Sequence, residues 1–471
     1  MKFRKFGKTV LSAALSTAMV FSLSSCIRSF TVGYLYVTGT VTSTPASNGI
    51  ITGFKINNDT GNLKAIDGLP LGSGGANPVR IVLLSGGNFV YVLNRGLTAG
   101  GSSTCTTTDP CLNSNITEFA VGGNGILTAQ EIFFTQGFNP FRLVSDSSGA
   151  YLFALDHDAP GTANASAPSS PANPNAYCGT VIVGATYCGD VTVFQINATT
   201  GRLTLVTNAQ LTSQSNGAQV PYFPVQAEPI DEAFVGSYLM TLAGAPSASP
   251  NVVATTAQTV FPYSYNSSTG QLGIVSNTPQ TISSSLTVGS VTSNVPMGQG
   301  TAIDYAGGKV YILDNEPTVS GGTPGQILPF TVGTNGSLNT LTGGAVPDDP
   351  TETGPVQLIV ESKGKFLYVA NELGADINDA AGVVGYVIDP TSSQLTENPG
   401  SPYPTGTGAQ PQCMLEDPSD QYIFTANAGD STVTGKLLDP NSGTLTQVHG
   451  WTGQIALTGP ATWCVVTGRT N

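Results

Sequence analysis

The chain has little of the chemistry on which metal sites and nucleic-acid interfaces depend. Only 2 of its 471 residues are His, and neither a Cys-x-x-Cys nor a His-x-x-x-His pair occurs, so no metal site is predicted. Lys and Arg number 16 against 29 Asp and Glu, which gives a formal charge of −13 at pH 7. An acidic chain repels phosphate backbones, so nucleic acid is not an expected partner. No phosphate-binding loop, serine nucleophile elbow or haem-attachment motif is present, and no cofactor is predicted.

The N-terminus has the pattern of an export signal. Four basic residues within the first eight positions precede an apolar run over residues 10–23. This run is shorter than the roughly 18 to 20 residues that a membrane span requires. It ends in Leu-Ser-Ser-Cys26, which resembles a bacterial lipobox. We therefore predict a lipoprotein signal peptide over residues 1–25, lipidation at Cys26 and a mature domain over residues 26–471; simple secretion and an uncleaved anchor are the alternatives.

These features predict a protein of the cell envelope, in the periplasm or at the outer membrane of a Gram-negative-type bacterium. Its contact with the membrane would be the lipid anchor alone, because more than one buried acyl chain gives stable attachment. Removal of the signal takes away four basic and no acidic residues, which changes the formal charge from −13 to −17. We interpret this charge as solubilising.

The cysteine count is odd until one residue is assigned to lipid. The chain has 7 cysteines, so six remain after Cys26, and an even number in an exported chain indicates disulfides. Six cysteines allow 15 pairings. Proximity favours the pairs Cys105 with Cys111, Cys178 with Cys188, and Cys413 with Cys464.

A four-strand unit recurs along the mature chain. In its clearest copy, an apolar run that begins at Gly354 is followed by a turn, a second run over Phe366–Asn371, a third over Val383–Asp389 and a short fourth at Leu395. This order is typical of an antiparallel meander. Related units begin at marker prolines, whose spacing equals or exceeds the roughly 40 to 50 residues of a propeller blade. The markers are Pro78, Pro140, Pro224, Pro296, Pro355 and Pro411.

The two ends of the chain supply a seventh unit. Residues 34–63 lack an opening strand, whereas residues 459–466 form an opening strand with nothing after it. Pairing the C-terminal strand with the N-terminal blade would close a ring and protect its edges. Since no sustained 3.6-residue apolar periodicity follows the signal, the sequence predicts an all-β fold, a seven-bladed β-propeller. The fourth unit is the weakest copy, because acidic residues and a proline lie where its first hairpin is expected.

Loop lengths distinguish the two faces of the predicted ring. The long segments 95–114, 157–189, 236–251 and 316–325 all join a second strand to a third. Functional residues concentrate on loops that a rigid scaffold holds, so this long-loop face is the predicted site.

Two sets of polar residues are predicted to point toward the centre of that face. One set ends or follows the second strands, and the other lies two positions after the marker prolines, where Gln226, Gly298 and Cys413 also fall. The ligand-binding candidates from both sets are Arg80, Asn94, Arg95, Arg142, Asp156, Asp314, Glu316, Gln357, Asn371 and Asn427. The alternative for Asn and Asp at strand ends is that they only cap turns through side-chain to backbone bonds.

The repeat units carry a family resemblance. Phe366–Leu373 and Tyr422–Asn427, together with Asp-Pro-x-x-Gly-x-Leu-Thr segments, resemble the seven-bladed lactonase family. This family includes 6-phosphogluconolactonase-like propellers and overlaps the Y-V-T-N repeat proteins. The resemblance covers residues 30–471 and implies a propeller and, for an enzyme, hydrolysis of a lactone. Such repeats identify a fold more specifically than an activity.

The sequence departs from the family's catalytic pattern. The enzymes carry Gly-Pro-Arg-His at the start of an inner strand, and the matching residues here are Gly354-Pro355-Val356-Gln357. Glu372 matches the acidic residue of the family's Asn-Glu-Leu, and His157 is a candidate base from another blade. These two are the predicted catalytic residues, because lactone hydrolysis needs a base and a cationic clamp for the oxyanion.

Two principal functions remain open at this point. Loss of the Arg-His motif favours a binding or interaction propeller, whose partner is a small anionic sugar or lactone, or a surface protein or glycan. The alternative is a 6-phosphogluconolactonase-like hydrolase of sugar lactones. A calcium-stabilised scaffold is a third reading, since Asp376, Asn378 and Asp379 supply oxygen ligands, although without a complete calcium loop.

Overall fold

Short runs of β-branched and aromatic residues, separated by glycine-containing turns, form antiparallel strands throughout the computed structural model. The structure describes residues 30–41, 48–84, 86–106, 109–160, 188–212, 217–226, 229–243, 259–276, 280–288, 291–296, 300–314, 325–341, 343–374, 380–407, 409–448 and 453–468. Within these ranges, no helix has the length and apolar character needed to cross a membrane.

The first four blades account for residues up to 281. The first blade contains β1 (Thr31–Thr40), β2 (Asn48–Asn57), β3 (Leu63–Ala65) and β4 (Leu71–Ala76). The second contains β5 (Pro78–Leu83), β6 (Phe89–Asn94), β7 (Asn115–Val121) and β8 (Leu127–Phe133). The third contains β9 (Phe138–Ser145), β10 (Tyr151–Asp158), β11 (Gly189–Ile196), β12 (Leu203–Leu205) and β13 (Phe223–Val225). The fourth contains β14 (Pro229–Val235), β15 (Tyr238–Ala243), β16 (Thr259–Tyr265), β17 (Leu272–Ile274) and β18 (Gln280–Thr281).

A separate hairpin precedes the remaining blades and consists of β19 (Ser283–Val288) and β20 (Val291–Pro296). The fifth blade contains β21 (Gly300–Ala306), β22 (Lys309–Asp314), β23 (Gln326–Val332), a 3-10 turn (Thr334–Gly336), β24 (Leu338–Thr340) and β25 (Val346–Pro347). The sixth contains β26 (Glu352–Val360), β27 (Phe366–Gly374), β28 (Ala380–Ile388), β29 (Leu395–Glu397) and β30 (Tyr403–Thr407). The seventh contains β31 (Pro411–Glu416), β32 (Tyr422–Asn427), β33 (Thr432–Leu438), β34 (Leu445–Gln447) and β35 (Gln454–Ala456). The last strand is β36 (Ala461–Gly468).

The C-terminal strand closes the ring. β36 pairs antiparallel with β1 and becomes the innermost strand of the first blade. In this register Val37 lies opposite Cys464, and Cys464 is bonded to Cys413 on the inner strand of the seventh blade, with a Cα–Cα distance of 5.7 Å. The predicted seven-bladed, all-β propeller and its closure are therefore confirmed.

The other predicted disulfides fall partly within the described residues. Cys105 and Cys111 are bonded, with a Cα–Cα distance of 5.2 Å. Cys188 is also disulfide-bonded, and its predicted partner Cys178 lies outside the described residues.

Turn glycines position one blade against the next. Gly443 joins the third and fourth strands of the seventh blade with a φ of +72°, and a Cβ atom there would overlap the ring of Phe366 in the sixth blade. The hydroxyl of Tyr368 in the same neighbouring blade donates to Gly443 O at 2.7 Å. Tyr36 makes the equivalent bond to Gly125 O, also at 2.7 Å. Glycine is needed at these turns for its positive φ and also for the close approach of an aromatic ring.

Every inner strand begins with the same irregularity. In each blade the pairing register shifts by one residue close to the start of the inner strand, as between Pro78 and Arg80. Such a bulge twists the strand and redirects the next side chain. The residues immediately after the bulge are Arg80, Arg142, Asp231, Ala302, Gln357, Cys413 and Trp463.

Two of the marker prolines do not begin a blade, and the prediction was wrong there. Pro224 lies in β13, which pairs with β11 as a fifth strand of the third blade. Pro296 lies in the β19–β20 hairpin, and the two blades begin instead at Pro229 and Gly300. Proline is tolerated on edge strands and at bulges as well as at the first residue of a strand, so it marks a strand without revealing which strand it pairs with.

Candidate functional site

A polar cavity of about 320 Å³ lies between the inner strands of the first six blades. Its walls include Ser145 and Phe234, which are near the ends of their inner strands where the short turns begin. The cavity therefore extends away from the long-loop face on which the sequence pattern placed the site. Its polar and aromatic lining includes Arg80, Arg142, Asp231, Glu232, Asp304, Gln357 and Trp463.

A largely buried ion pair forms one wall of the cavity. Arg142 Nε lies 2.6 Å from Asp231 Oδ1, and the two side chains are 20% and 12% exposed. The second oxygen of Asp231 accepts a hydrogen bond from Ile303 N at 3.0 Å. Because both charges are satisfied by each other and by the backbone, this pair fixes the relative position of the third, fourth and fifth blades.

Arg80 stacks on an aromatic ring instead of pairing with an acid. Its Cζ atom lies 3.5 Å from the centre of the Trp463 ring, and its Nη1 donates to Val79 O at 3.0 Å. Burial, and then the charge of Arg142, lower the pKa of Arg80 below its usual value, although a guanidinium remains charged at neutral pH. Among the described residues, no carboxylate lies within ion-pair distance of Arg80.

Two further carboxyl groups line the cavity. Glu232 is only 3% exposed, and burial, reinforced by Asp231, raises its pKa well above the usual value against the opposing effect of Arg142. Burial therefore favours the protonated, neutral form of its carboxyl group. Burial also raises the pKa of Asp304 to about 6, opposed by a hydrogen bond from Tyr305 N.

The candidate residues at the ends of the second strands are buried between strands and lie outside the cavity lining. Asn94, Asp156, Asp314, Asn371 and Asn427 are all fully buried, and none of the five is among the residues that line the cavity. Four of the five, all except Asn371, tie the second strands to neighbouring segments: Asn94 Nδ2 donates to Ser73 O at 3.0 Å in β4 and to Thr117 Oγ1 at 3.2 Å in β7.

Other members of this set make equivalent bonds. Asp156 accepts from Thr135 Oγ1 at 2.7 Å, Asp314 accepts from Gln326 Nε2 at 2.8 Å, and Asn427 Nδ2 donates to Thr434 Oγ1 at 2.9 Å. Of the bonds named, only that from Asn94 to Ser73 O reaches a backbone atom, so these side chains mainly link to other side chains of neighbouring segments.

Arg95 and His157 lie next to Asp158, at the start of the long loops. His157 Nδ1 is 3.4 Å from Asp158 Oδ2, and its ring packs edge-on against Phe141. Burial and the nearby charge of Arg142 lower the pKa of Arg95, whereas Asp158 raises it. Neither residue is part of the cavity lining.

The predicted catalytic residues are not brought together by any contact among the described residues. Glu372 accepts a hydrogen bond from Gln412 Nε2 at 3.3 Å in the sixth and seventh blades, whereas His157 belongs to the third. Of the other candidates, Gln357 lines the cavity. Glu316 and Cys26 lie outside the described residues.

Sequence reasoning missed Asp231, Glu232, Asp304 and Trp463. A signal for the first was present, since Pro229-Ile-Asp231 has the same Pro-x-polar spacing as Pro78-Val-Arg80 and Pro140-Phe-Arg142. The marker at Pro224 hid it, because that choice placed Gln226 at the equivalent position.

Seven blades closed by a C-terminal strand around a polar central cavity define a seven-bladed β-propeller. The sequence profile of the family described as "Lactonase, 7-bladed beta-propeller" matches residues 33–161 and 324–465. The chain therefore belongs to the seven-bladed β-propeller lactonase family. No curated protein sequence matches it.

Solved structures share the architecture at low identity. A candidate 6-phosphogluconolactonase from Bacteroides uniformis has a TM-score of 0.60 and 15% identity, covering 93% of this chain and 100% of that one. The periplasmic gluconolactonase PpgL of Pseudomonas aeruginosa has a TM-score of 0.59 and 16% identity, covering 93% and 99%. At these identities the likeness shows the fold alone.

Proposed function

We propose that the central cavity binds a small anionic sugar or sugar lactone and that the chain acts mainly as a binding propeller. The observation that carries this proposal is Arg80, a half-buried cation in the cavity wall with no acidic partner among the described residues. A ligand carboxylate or a polarised lactone carbonyl complements such a group. The similar structures, a gluconolactonase and a candidate 6-phosphogluconolactonase, support this ligand class.

Binding is favoured over rapid turnover by the inner strand of the sixth blade. Val356 and Gln357 stand where the family's enzymes have Arg and His, and Gln357 Oε1 accepts a hydrogen bond from Met414 N at 2.6 Å. An amide engaged in this way cannot serve as a base, and a positioned general base is worth about 10² to 10⁴ in rate. Hydrolysis of a sugar lactone is the second candidate function, supported by the buried carboxyl of Glu232 in the same cavity.

The proposal is tested by calorimetric titration of the mature protein with gluconate, alongside a lactonase assay on glucono-δ-lactone. We expect weak gluconate binding, little hydrolysis above the spontaneous rate, and a loss of roughly tenfold or more in affinity for Arg80→Ala, since charge-assisted hydrogen bonds are strong in buried sites. Arg202→Ala is the matched control, because the Arg202 side chain is 66% exposed and lies just before the outer strand β12. Unchanged gluconate affinity in Arg80→Ala would disprove the binding site, and rapid hydrolysis by the wild type would favour the second function.

We also propose an envelope location, with a signal peptide over residues 1–25 and a lipid anchor on Cys26. Disulfides between described cysteines support an oxidising compartment. A surface protein or glycan at the long-loop face is an alternative partner.

Mass spectrometry of the protein from membranes should identify a diacylated Cys26 as the mature N-terminus. The Cys26→Ala variant should lack the lipid. A mature N-terminus at any other residue would contradict the lipoprotein assignment.

A further inference from the structure

Glu232 is a buried acid in the wall of the central cavity. It follows Asp231 in β14 and lines the cavity, yet it is only 3% exposed, and neither of its carboxyl oxygens has a hydrogen-bond partner among the described residues. Buried polar groups are nearly always paired. An unpaired acid in a cavity wall can bond with an occupant of the cavity once a small side-chain rotation exposes its buried carboxyl oxygens.

Charged groups from three neighbouring strands act on Glu232, and one from a fourth strand lines the same cavity. Arg80 and Arg142 come from β5 and β9, Asp156 comes from β10, and Asp304 from β21 lines the same cavity. Asp231 on its own strand is already paired with Arg142. When Glu232 is neutral, the positive charge of Arg80 is not cancelled by Asp231 and attracts an anionic ligand. When Glu232 is ionised, its negative charge offsets this attraction.

We propose that Glu232 makes the cavity selective for sugar acids over neutral sugars and lactones: it stays a carboxylic acid and donates a hydrogen bond to a ligand carboxylate that Arg80 holds. This inference rests on the proposed binding function. A neutral acid has one O–H donor, whereas an ionised one has only acceptors and repels a carboxylate. The proton remains on Glu232 throughout, so no other reactant is required.

The direction of the pH dependence follows from the two acids. Burial raises the pKa of Glu232, so affinity for a carboxylate should hold near neutrality and fall as the pH rises through that pKa, by up to about tenfold per pH unit for one linked proton. Asp304, whose pKa is about 6, should act separately. Its protonation removes a negative charge and increases affinity in mild acid.

The experiment is calorimetric titration of the mature protein between pH 5.5 and 9 with gluconate and with gluconamide, its neutral amide analogue. The wild type should bind gluconate at least about tenfold more tightly at pH 7, because hydrogen bonds to charged groups are the strong ones, and should lose that preference at alkaline pH. Glu232→Gln should retain gluconate binding within about threefold at pH 7 and abolish the alkaline decline. Asp304→Asn is the matched control, which should flatten only the acid limb.

The melting temperature is a second, independent measure of the protonation of Glu232. A buried acid with a raised pKa stabilises the fold at low pH, and this stability is lost as the pH rises through the folded-state pKa. Glu232→Gln should therefore melt at a higher temperature than the wild type at pH 9 and at a similar temperature at pH 5.5. Equal affinity for gluconate and gluconamide, or an alkaline decline in gluconate affinity that persists in Glu232→Gln, would overturn the role of Glu232 but not the binding function. Absence of gluconate binding at every pH would overturn the binding function as well.

Discussion

Deletion of residues 459–471 is expected to abolish the cooperative folding of the propeller. It removes β36, which pairs with β1 along most of that strand, and it takes away Cys464 and the disulfide to Cys413. A disulfide that closes a loop of 51 residues contributes about 4 kcal/mol in the chain-entropy model. The deletion also uncovers a cluster that includes Leu35, Ala461 and Phe424. These losses approach the whole stability of a typical domain.

Thermal melting followed by circular dichroism checks this expectation. A chain that ends at Gly468 is the matched control, because it retains all of β36 and should melt like the full protein. Removal of an ordinary frayed terminus costs almost nothing. If the longer deletion melts at the same temperature as the full chain, the closing role of β36 is wrong.

Arg142→Ala is expected to destabilise the protein by about 3 kcal/mol and to weaken gluconate binding. The substitution leaves Asp231 as an uncompensated, largely buried charge, and breaking a buried pair by removal of one partner costs about 3–5 kcal/mol. The lower end applies because the Arg142 side chain is 20% exposed. Urea denaturation measures the change in the free energy of unfolding.

A second substitution separates the two effects of Arg142. In the double variant Arg142→Ala/Asp231→Asn, the unpaired charge is gone and an amide oxygen can still accept from Ile303 N. Much of the lost stability should return, whereas gluconate affinity should not. If the double variant is no more stable than Arg142→Ala, the cost does not come from the buried charge of Asp231.

The repeat pattern predicted blades well where each unit had one proline and one apolar hairpin. In the second, third, sixth and seventh blades the inner strand includes the predicted marker: Pro78, Pro140, Pro355 and Pro411. The predicted starts of the fourth and fifth blades were misplaced. A fifth strand of the third blade precedes the fourth blade, and an extra hairpin precedes the fifth. Both of those segments have the same local strand pattern as a true inner strand.

The sequence by itself determined the four-strand repeat and the number of blades, because alternating side chains and turn glycines act within a few residues of one another. It also determined the closure of the ring, because each chain end carries only part of a repeat and the two parts complete one blade. The tertiary structure alone decided which strand pairs with which in the fourth and fifth blades. It also decided the site: Arg142 meets Asp231 across 89 positions of the chain, and Glu232 is isolated only because six blades enclose it. Hydrogen-bond partners and burial depend on residues far apart in the chain, so a local pattern of residue types cannot specify them.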